Sequence, residues 1–178
     1  SLEATKSIFL VTNGQEPDMI QKLQDEDALP TQLYLSTNAA DYESFIKINK
    51  PKYDDSWERW NRTLDMLKNL DTRTVLRITL IRNYNDQKEM IPAFADMFRK
   101  ASPHFIEIKS YMHIGRSTNR LEHENMLEMH EVKKFSEQIA KQSKIFSIMD
   151  ESLVSRISIL QNNERFIDRW IPTYANTN

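Results

Sequence analysis

The sequence predicts a mixed α/β fold, in which helices cover a mostly parallel sheet. Apolar runs of strand length alternate with helix patterns along the chain, and this alternation is typical of βαβ units. The clearest unit spans residues 31–85, where strand patterns at 33–36 and 75–81 flank a helix pattern at 57–70. Parallel strands need such a crossover, because short hairpins join only antiparallel strands.

The helix pattern at 57–70 has an apolar stripe with the period of an α-helix. The stripe consists of Trp57, Trp60, Leu64 and Leu67, and it is expected to cover the sheet. Core packing is therefore favoured over base stacking for the two tryptophans. Asp55, followed three residues later by Glu58, resembles a capping box at the start of this helix.

The remaining elements follow the same alternation. A strand is predicted at residues 7–13, and Pro17 then stands at the first position of a helix. The next elements are a strand at 31–36, a short helix at 40–48 that ends before Pro51, and a strand at 74–81. A helix at 86–101, a strand at 105–111, an irregular segment at 112–127, a helix at 129–139 and strands at 145–149 and 156–160 complete the chain.

Four βα units are too few to close a barrel of eight, so two architectures remain open. One is a flavodoxin-like open sheet and the other is a partial barrel. We expect the strands that begin near residues 8, 32, 74 and 105 to be parallel neighbours in that order, with their helices on one outer face. The concave face, placed near Phe9, Leu33 and Leu76, is expected to be exposed or covered by a second copy of the chain.

Composition narrows the function classes. The 178 residues, 39% of them hydrophobic, suffice for a single domain over residues 1–178, and no run is long enough to span a bilayer. The net charge of −2 gives no global signature of nucleic-acid binding. The absence of cysteine excludes disulfides, a thiolate nucleophile and a cysteine-held iron–sulfur cluster in this chain. The chain starts at Ser1 without a signal-peptide pattern, and we interpret it as a trimmed cytoplasmic protein.

Ligands of parallel α/β sheets bind at the carboxyl ends of the strands, which identifies candidate binding residues. Thr12 and Asn13 end the first strand, Ser36 ends the second, and Arg77 and Thr79 lie on the third. Each also has a structural interpretation: Asn before Gly is a common turn pair, Ser often caps a helix, and Arg77 could pair with an acid. The four histidines lack metal-binding spacing, so no metal site is predicted.

A second candidate surface follows the strand at 105–111. Lys109, Arg116 and Arg120 form a small positive strip without an acid, and Tyr111 and His113 could stack on bases or form hydrogen bonds. We interpret this strip as the nucleic-acid candidate, against the alternative of an ordinary solvated loop.

Several short sequence motifs together resemble those of one enzyme family. They are FLVTNG, LYLSTNA, NKP followed by DDSWERWNRTL, RTVLRITLIRNYN, ASPHFIEIKSYMHIG, STNRL followed by NMLEMHEVKKFSEQ, and KIFSIMDESLVSRISIL. In this order, over residues 9–160, they resemble the radical S-adenosylmethionine enzymes that act as tRNA 4-demethylwyosine synthases. The chain departs from the family pattern at Asn38, Lys50, Asn83 and Leu127, which affects the substrate detail.

The resemblance implies a six-strand partial barrel, of which this chain would supply the third to sixth strands and a C-terminal extension. It implies S-adenosylmethionine and a [4Fe-4S] cluster as cofactors of the parent enzyme, with Asn13, Ser36 and Arg77 near the methionyl and ribose groups. It also implies tRNA carrying N1-methylguanosine and pyruvate as substrates. The three-cysteine motif and the lysine that holds pyruvate would lie upstream of Ser1, so no catalytic residue is assigned here, and neither cofactor is expected to bind this chain alone.

Three functions of different class remain open at this point. The first is part of the catalytic domain of a lyase-type tRNA-modifying enzyme, inactive by itself. The second is a pseudoenzyme that still binds tRNA, and the third is an unrelated flavodoxin-like protein that binds a small ligand.

Overall fold

The computed structural model describes residues 5–171, which form one six-stranded sheet in the order β1-β2-β3-β4-β6-β5. The strands are β1 (Phe9–Thr12), β2 (Gln32–Ser36), β3 (Arg73–Leu80), β4 (Phe105–Ser110), β5 (Phe146–Ser152) and β6 (Ile157–Asn162). Strands β1 to β4 are parallel neighbours in chain order. This confirms the predicted order and rules out the flavodoxin-like alternative, in which the order doubles back about the first strand.

The two C-terminal strands reverse the direction of the sheet. Strand β6 pairs antiparallel with β4, and β5 pairs antiparallel with β6 at the edge. The sequence predicted both strands but not their places in the sheet. Strand β5 also extends beyond the predicted range, with a register shift between Ile148 and Asp150.

Within residues 5–171, five α-helices cover one face of the sheet. They are α1 (Pro17–Asp25), α2 (Tyr42–Asn49), α3 (Ser56–Met66), α4 (Ile91–Ala101) and α5 (Met129–Ser143). The main core contains side chains from all five helices together with alternate residues of the parallel strands, among them Leu35, Ile78 and Ile108. The helices therefore lie on one face, as predicted.

The predicted composition of the open face needs correction. Leu33 and Leu76 are fully buried under the helices, whereas Phe9 lies on the helix-free face and is 53% exposed. Successive side chains of a strand point to opposite faces of the sheet, and those of Leu33 and Leu76 point to the helix-covered face. The open face carries Gln32, Tyr34, Arg73, Val75, Phe105 and Glu107.

The segment 168–171 crosses the amino-terminal part of the open face. The Arg73 guanidinium donates hydrogen bonds to the carbonyl oxygens of Asp168, Arg169 and Trp170. Together with the strands, this segment encloses a cavity of about 400 Å³. The cavity is lined mainly by apolar and aromatic side chains, at the end of the sheet away from the strands' carboxyl termini.

The predicted capping box of α3 is not formed. Asp55 makes no side-chain hydrogen bond to the first turn of the helix. Its carboxylate instead accepts from Arg59 Nε at 2.9 Å, because the i,i+4 guanidinium competes for the same oxygens. The apolar stripe behaves as predicted: Trp60, Leu64 and Leu67 are buried, and Trp57 stacks on Trp60 with ring centroids 5.3 Å apart.

Residues 111–128 form the long connection between β4 and α5. It contains two short 3-10 turns, Gly115–Asn119 and His123–Asn125, in agreement with the irregular segment that the sequence predicted. Among residues 5–171, no helix combines the length and the apolar character that a membrane crossing requires.

Candidate functional site

A polar cavity lies at the carboxyl ends of β1 and β2. It has a volume of about 360 Å³ and is lined by Asn13, Gln15 and Ser36, by Phe45 and Asn49 of α2, and by the residues that follow α2: Lys50, Pro51, Lys52 and Tyr53. Two of the predicted ligand residues, Asn13 and Ser36, therefore share one cavity. This edge of the sheet is where parallel α/β proteins bind ligands.

The turn after β1 shapes one wall of this cavity. Thr12 Oγ1 accepts from the Gly14 N–H, and Asn13 Oδ1 accepts from the Gln15 N–H. Gly14 has a φ of +76°, and a Cβ atom there would lie 2.7 Å from Leu35 Cδ1. Glycine is thus required both by the left-handed backbone and by the close approach to β2. Thr12 stabilises this turn through the hydrogen bond from Gly14, and it does not line the cavity.

Gln15 is the cavity residue that sequence reasoning missed. Its side chain is 9% exposed, and its Nε2 donates to the Ser56 carbonyl oxygen at 3.0 Å. Its Oε1 is buried and has no hydrogen-bond partner within residues 5–171. A buried acceptor without a donor costs free energy, so this oxygen suits a ligand that brings an N–H or O–H group. No sequence motif marks it, because the burial depends on α3 packing over the turn.

Arg77 lies deeper on the open face and is already paired. Its Nε is 2.8 Å from Glu107 Oε1, and its guanidinium carbon lies 4.4 Å from the centroid of the Tyr34 ring. Burial, followed by the Glu107 carboxylate, raises the pKa of the Tyr34 hydroxyl. The ion pair with a neighbouring acid, which was the structural interpretation of Arg77, is thus present. Arg77 also lies directly opposite Ser36 on the adjacent strand.

Thr79 is held through its backbone. Its N–H donates to Asn38 Oδ1 at 3.0 Å, and its carbonyl accepts from Asn85 Nδ2 at 2.9 Å. Neither Thr79 nor Arg77 lines the cavity that contains Asn13 and Ser36. The five predicted cofactor residues therefore do not form a single constellation among the described residues.

The predicted positive strip is divided between two environments. Lys109 lies on β4 opposite Thr79, while Arg116 and Arg120 are exposed on the loop beyond. Tyr111 is not available for base stacking, because it is only 5% exposed and packs with Ile81 and Leu121. Its hydroxyl lies 3.1 Å from His113 Nδ1.

Metal-ligating side chains do not cluster within residues 5–171. No group of three or more His, Cys, Asp or Glu side chains there has the arrangement of a metal site. The chain has no cysteine at all, so it offers no thiolate for an iron–sulfur cluster.

Comparison with solved structures defines the class of the fold. The E. coli coproporphyrinogen III oxidase HemN, a radical SAM enzyme, superposes with a TM-score of 0.52 at 12% identity, over 88% of this chain and 35% of HemN. Together with four sequential parallel strands and helices on one face, this gives the chain a radical SAM type of partial-barrel fold.

Closer similarities point to one enzyme family. A TYW1 structure with a lysine–pyruvate adduct bound superposes with a TM-score of 0.77 at 40% identity, over 89% of this chain and 48% of that one. The S-adenosyl-L-methionine-dependent tRNA 4-demethylwyosine synthase of Methanocaldococcus jannaschii is 41% identical over 162 residues. That of Pyrococcus abyssi is 38% identical over 156 residues. A family model described as wyosine base formation matches residues 100–162.

Along most of its length the chain is thus similar to tRNA 4-demethylwyosine synthases. The match covers 90% of this chain but 48% of the Methanocaldococcus protein, and 88% of this chain but 45% of the Pyrococcus protein. The chain thus spans under half the length of these relatives.

Proposed function

We propose that this chain supplies the second half of the barrel of a radical S-adenosylmethionine tRNA 4-demethylwyosine synthase. The parent enzyme would convert N1-methylguanosine and pyruvate into the tricyclic 4-demethylwyosine in tRNA, as a lyase. The observation that carries the proposal is the polar cavity at the carboxyl ends of β1 and β2, on a sheet that superposes on a TYW1 structure with a TM-score of 0.77.

The [4Fe-4S] cluster does not fit this chain, because no cysteine is present to bind it. In the proposal, the cluster and the pyruvate-binding lysine belong to residues outside these 178. S-adenosylmethionine supplies the radical chemistry only in combination with such a cluster. The contribution of this chain is therefore limited to binding and positioning.

The cavity residues fit part of S-adenosylmethionine. Asn13 and Ser36 line the cavity with polar side chains, and the unpaired Gln15 Oε1 can accept a hydrogen bond from a ribose hydroxyl or an amino group. Thr12 supports this wall through its bond to Gly14. Arg77 and Thr79 remain proposed cofactor contacts that lie on the adjoining open face, where the other half of the barrel would close over them.

We propose that tRNA approaches from the loop after β4. Arg116 and Arg120 are exposed there, and Lys109 stands on the open face at the same end of the sheet. Arginine and lysine side chains neutralise phosphates, and this contribution to affinity depends strongly on salt concentration.

The chain alone is expected to lack activity. After anaerobic reconstitution with iron and sulfide, it should hold no cluster and release no 5′-deoxyadenosine from S-adenosylmethionine. Affinity for the intact cofactor should be millimolar or weaker, about 4 kcal/mol or less, because only strand-end contacts remain. Iron analysis, chromatography of the cofactor products and calorimetry measure these three quantities.

The positive test is a chimera in which this chain replaces the matching half of the Methanocaldococcus relative. With S-adenosylmethionine, pyruvate, a reductant and N1-methylguanosine-containing tRNA, mass spectrometry of the digested tRNA should detect 4-demethylwyosine. The unmodified relative is the positive control. A folded chimera that binds its cluster and cleaves the cofactor but forms no tricyclic base would contradict the proposal and favour the pseudoenzyme.

A further inference from the structure

A small second core fixes the loop after β4 against the end of α2. Ile81, Tyr111 and Leu121 form this core, with Ile48 from α2 and Tyr84 packed against it. Leu121 directly follows Arg120, so its burial holds the Arg120 backbone beside the last turn of α2. The loop is therefore anchored by apolar contacts, in contrast to the freely solvated loop that the sequence allowed.

Three cations surround the mouth of this junction. Lys47, Lys50 and Arg120 line a cleft of about 70 Å³ together with Ile48, Ile81, Tyr84 and Leu121. None of the lining residues is acidic. Within residues 5–171 these three cations have no carboxylate within 4.0 Å, although most arginines of this part of the chain are paired. Three unpaired positive charges in one place suit a polyanion.

Lys50 connects this cleft to the polar cavity. It lines both the cleft with Arg120 and the cavity with Asn13 and Ser36. Its backbone is left-handed, with φ 46° and ψ 60°, and its N–H donates to the Ile46 carbonyl at the end of α2. Pro51 disfavours helical geometry at the preceding residue, so the chain turns here and Lys50 stands between the two sites.

An aromatic ring is part of the same surface. Lys47 Nζ lies 5.0 Å from the centroid of the Tyr84 ring, which lines the cleft. Cations interleaved with an aromatic ring are typical of surfaces that bind RNA, where charges contact phosphates and rings contact bases.

We propose that Lys47, Lys50 and Arg120 form a clamp for RNA phosphates, which holds the nucleotides next to the one that enters the polar cavity. This inference rests on the proposed function, since it takes tRNA as the partner. It adds two cations of α2 to the predicted strip and places the RNA path between α2 and the loop after β4.

The test uses the 178-residue chain and a fluorescently labelled anticodon stem–loop RNA, with binding measured by anisotropy from about 50 to 200 mM salt. The variants are Lys47→Gln, Arg120→Gln and Lys50→Asn, because asparagine tolerates the left-handed backbone at position 50. Lys144→Asn is the matched control. Lys144 also follows a helix end, with φ 66° and its N–H bonded to a carbonyl four residues earlier, but it lies beside the amino-terminal edge of the sheet.

Each clamp variant should bind the RNA about threefold to tenfold more weakly, with a salt slope smaller by about 0.7 to 0.9. Lys144→Asn should bind like the unsubstituted chain. Equal binding by Lys50→Asn and Lys144→Asn, or no RNA binding by the unsubstituted chain, would overturn the proposal. Circular dichroism checks that each variant is folded.

The two experiments test the clamp and the proposed function separately. A chimera that forms the tricyclic base, combined with clamp variants of undiminished affinity, would reject the clamp alone. An inactive chimera, combined with weakened RNA binding by the clamp variants, would reject the proposed reaction and leave the clamp in place.

Discussion

His104 shows how one residue links two strands of this sheet. It precedes β4, and its Nδ1 accepts from the Thr74 N–H at 3.1 Å, while its own N–H donates to the Thr74 carbonyl oxygen at 3.1 Å. His104 is only 9% exposed. Burial, together with Arg165 and Arg73, lowers the pKa of His104 to about 4.

This shifted pKa predicts a pH dependence of stability. The unfolded chain takes up a proton at His104 below about pH 6.5, whereas the folded chain resists until about pH 4. The free energy of unfolding should therefore fall as the pH drops from 6.5 to 4, by at most about 3 kcal/mol from this residue. Urea unfolding across this pH range measures the effect.

Two variants isolate the contribution of His104. In His104→Asn the amide oxygen can still accept from Thr74, so the variant should lose much of the pH dependence above pH 5. His130→Asn, at an exposed position, should retain it. Identical pH profiles for His104→Asn and the unsubstituted chain would contradict the assignment.

At the scale of elements, the start of a helix illustrates what local sequence can and cannot specify. Asp41 caps α2, because its Oδ1 accepts from the Ser44 N–H at 2.9 Å, whereas Asp55 before α3 forms no such bond. Both positions have an acid before a helix pattern. The difference arises from Arg59, whose guanidinium occupies the carboxylate of Asp55.

This difference predicts unequal costs for the same substitution. Asp41→Ala should lower the free energy of unfolding by about 1 kcal/mol, because an N-terminal N–H of α2 loses its acceptor. Asp55→Ala should cost less, since it removes only a solvent-exposed ion pair. Paired urea denaturation curves test the ranking, and a larger loss for Asp55→Ala would show that it caps α3 in solution.

At the scale of the whole molecule, one edge of the sheet exposes apolar side chains to solvent. Strand β1 ends the sheet, and Phe9 and Val11 are 53% and 51% exposed. A strand edge with apolar side chains readily pairs with another chain. In the proposed parent enzyme, the missing barrel strands would cover this edge.

We therefore expect the isolated chain to self-associate through β1. Light scattering after size-exclusion chromatography should show a concentration-dependent dimer or larger species. Val11→Lys should shift the population toward monomer, whereas Met19→Lys, at an equally exposed position on α1, should not. A monomer at every concentration would remove the basis for this expectation.

Sequence reasoning predicted much of the fold because local patterns carry that information. The strand and helix periods around residues 31–85 were sufficient for the βαβ unit, and right-handed crossovers gave the order of the four parallel strands. The ordered sequence motifs over residues 9–160 indicated the enzyme family. The site was harder to predict from the sequence. Asn13 and Ser36 share a cavity, but Arg77 pairs with Glu107 and Tyr111 is buried.

The sequence by itself determined the type and order of the main elements, the parallel core of the sheet and the lack of thiolates for a cluster. The tertiary structure alone decided that β6 lies between β4 and β5, that Gln15 keeps a buried oxygen unpaired, and that Lys50 stands beside Arg120. The first group of features depends on the composition and hydrophobic periodicity of short segments. The second depends on side-chain packing between residues far apart in the chain, which no local pattern encodes.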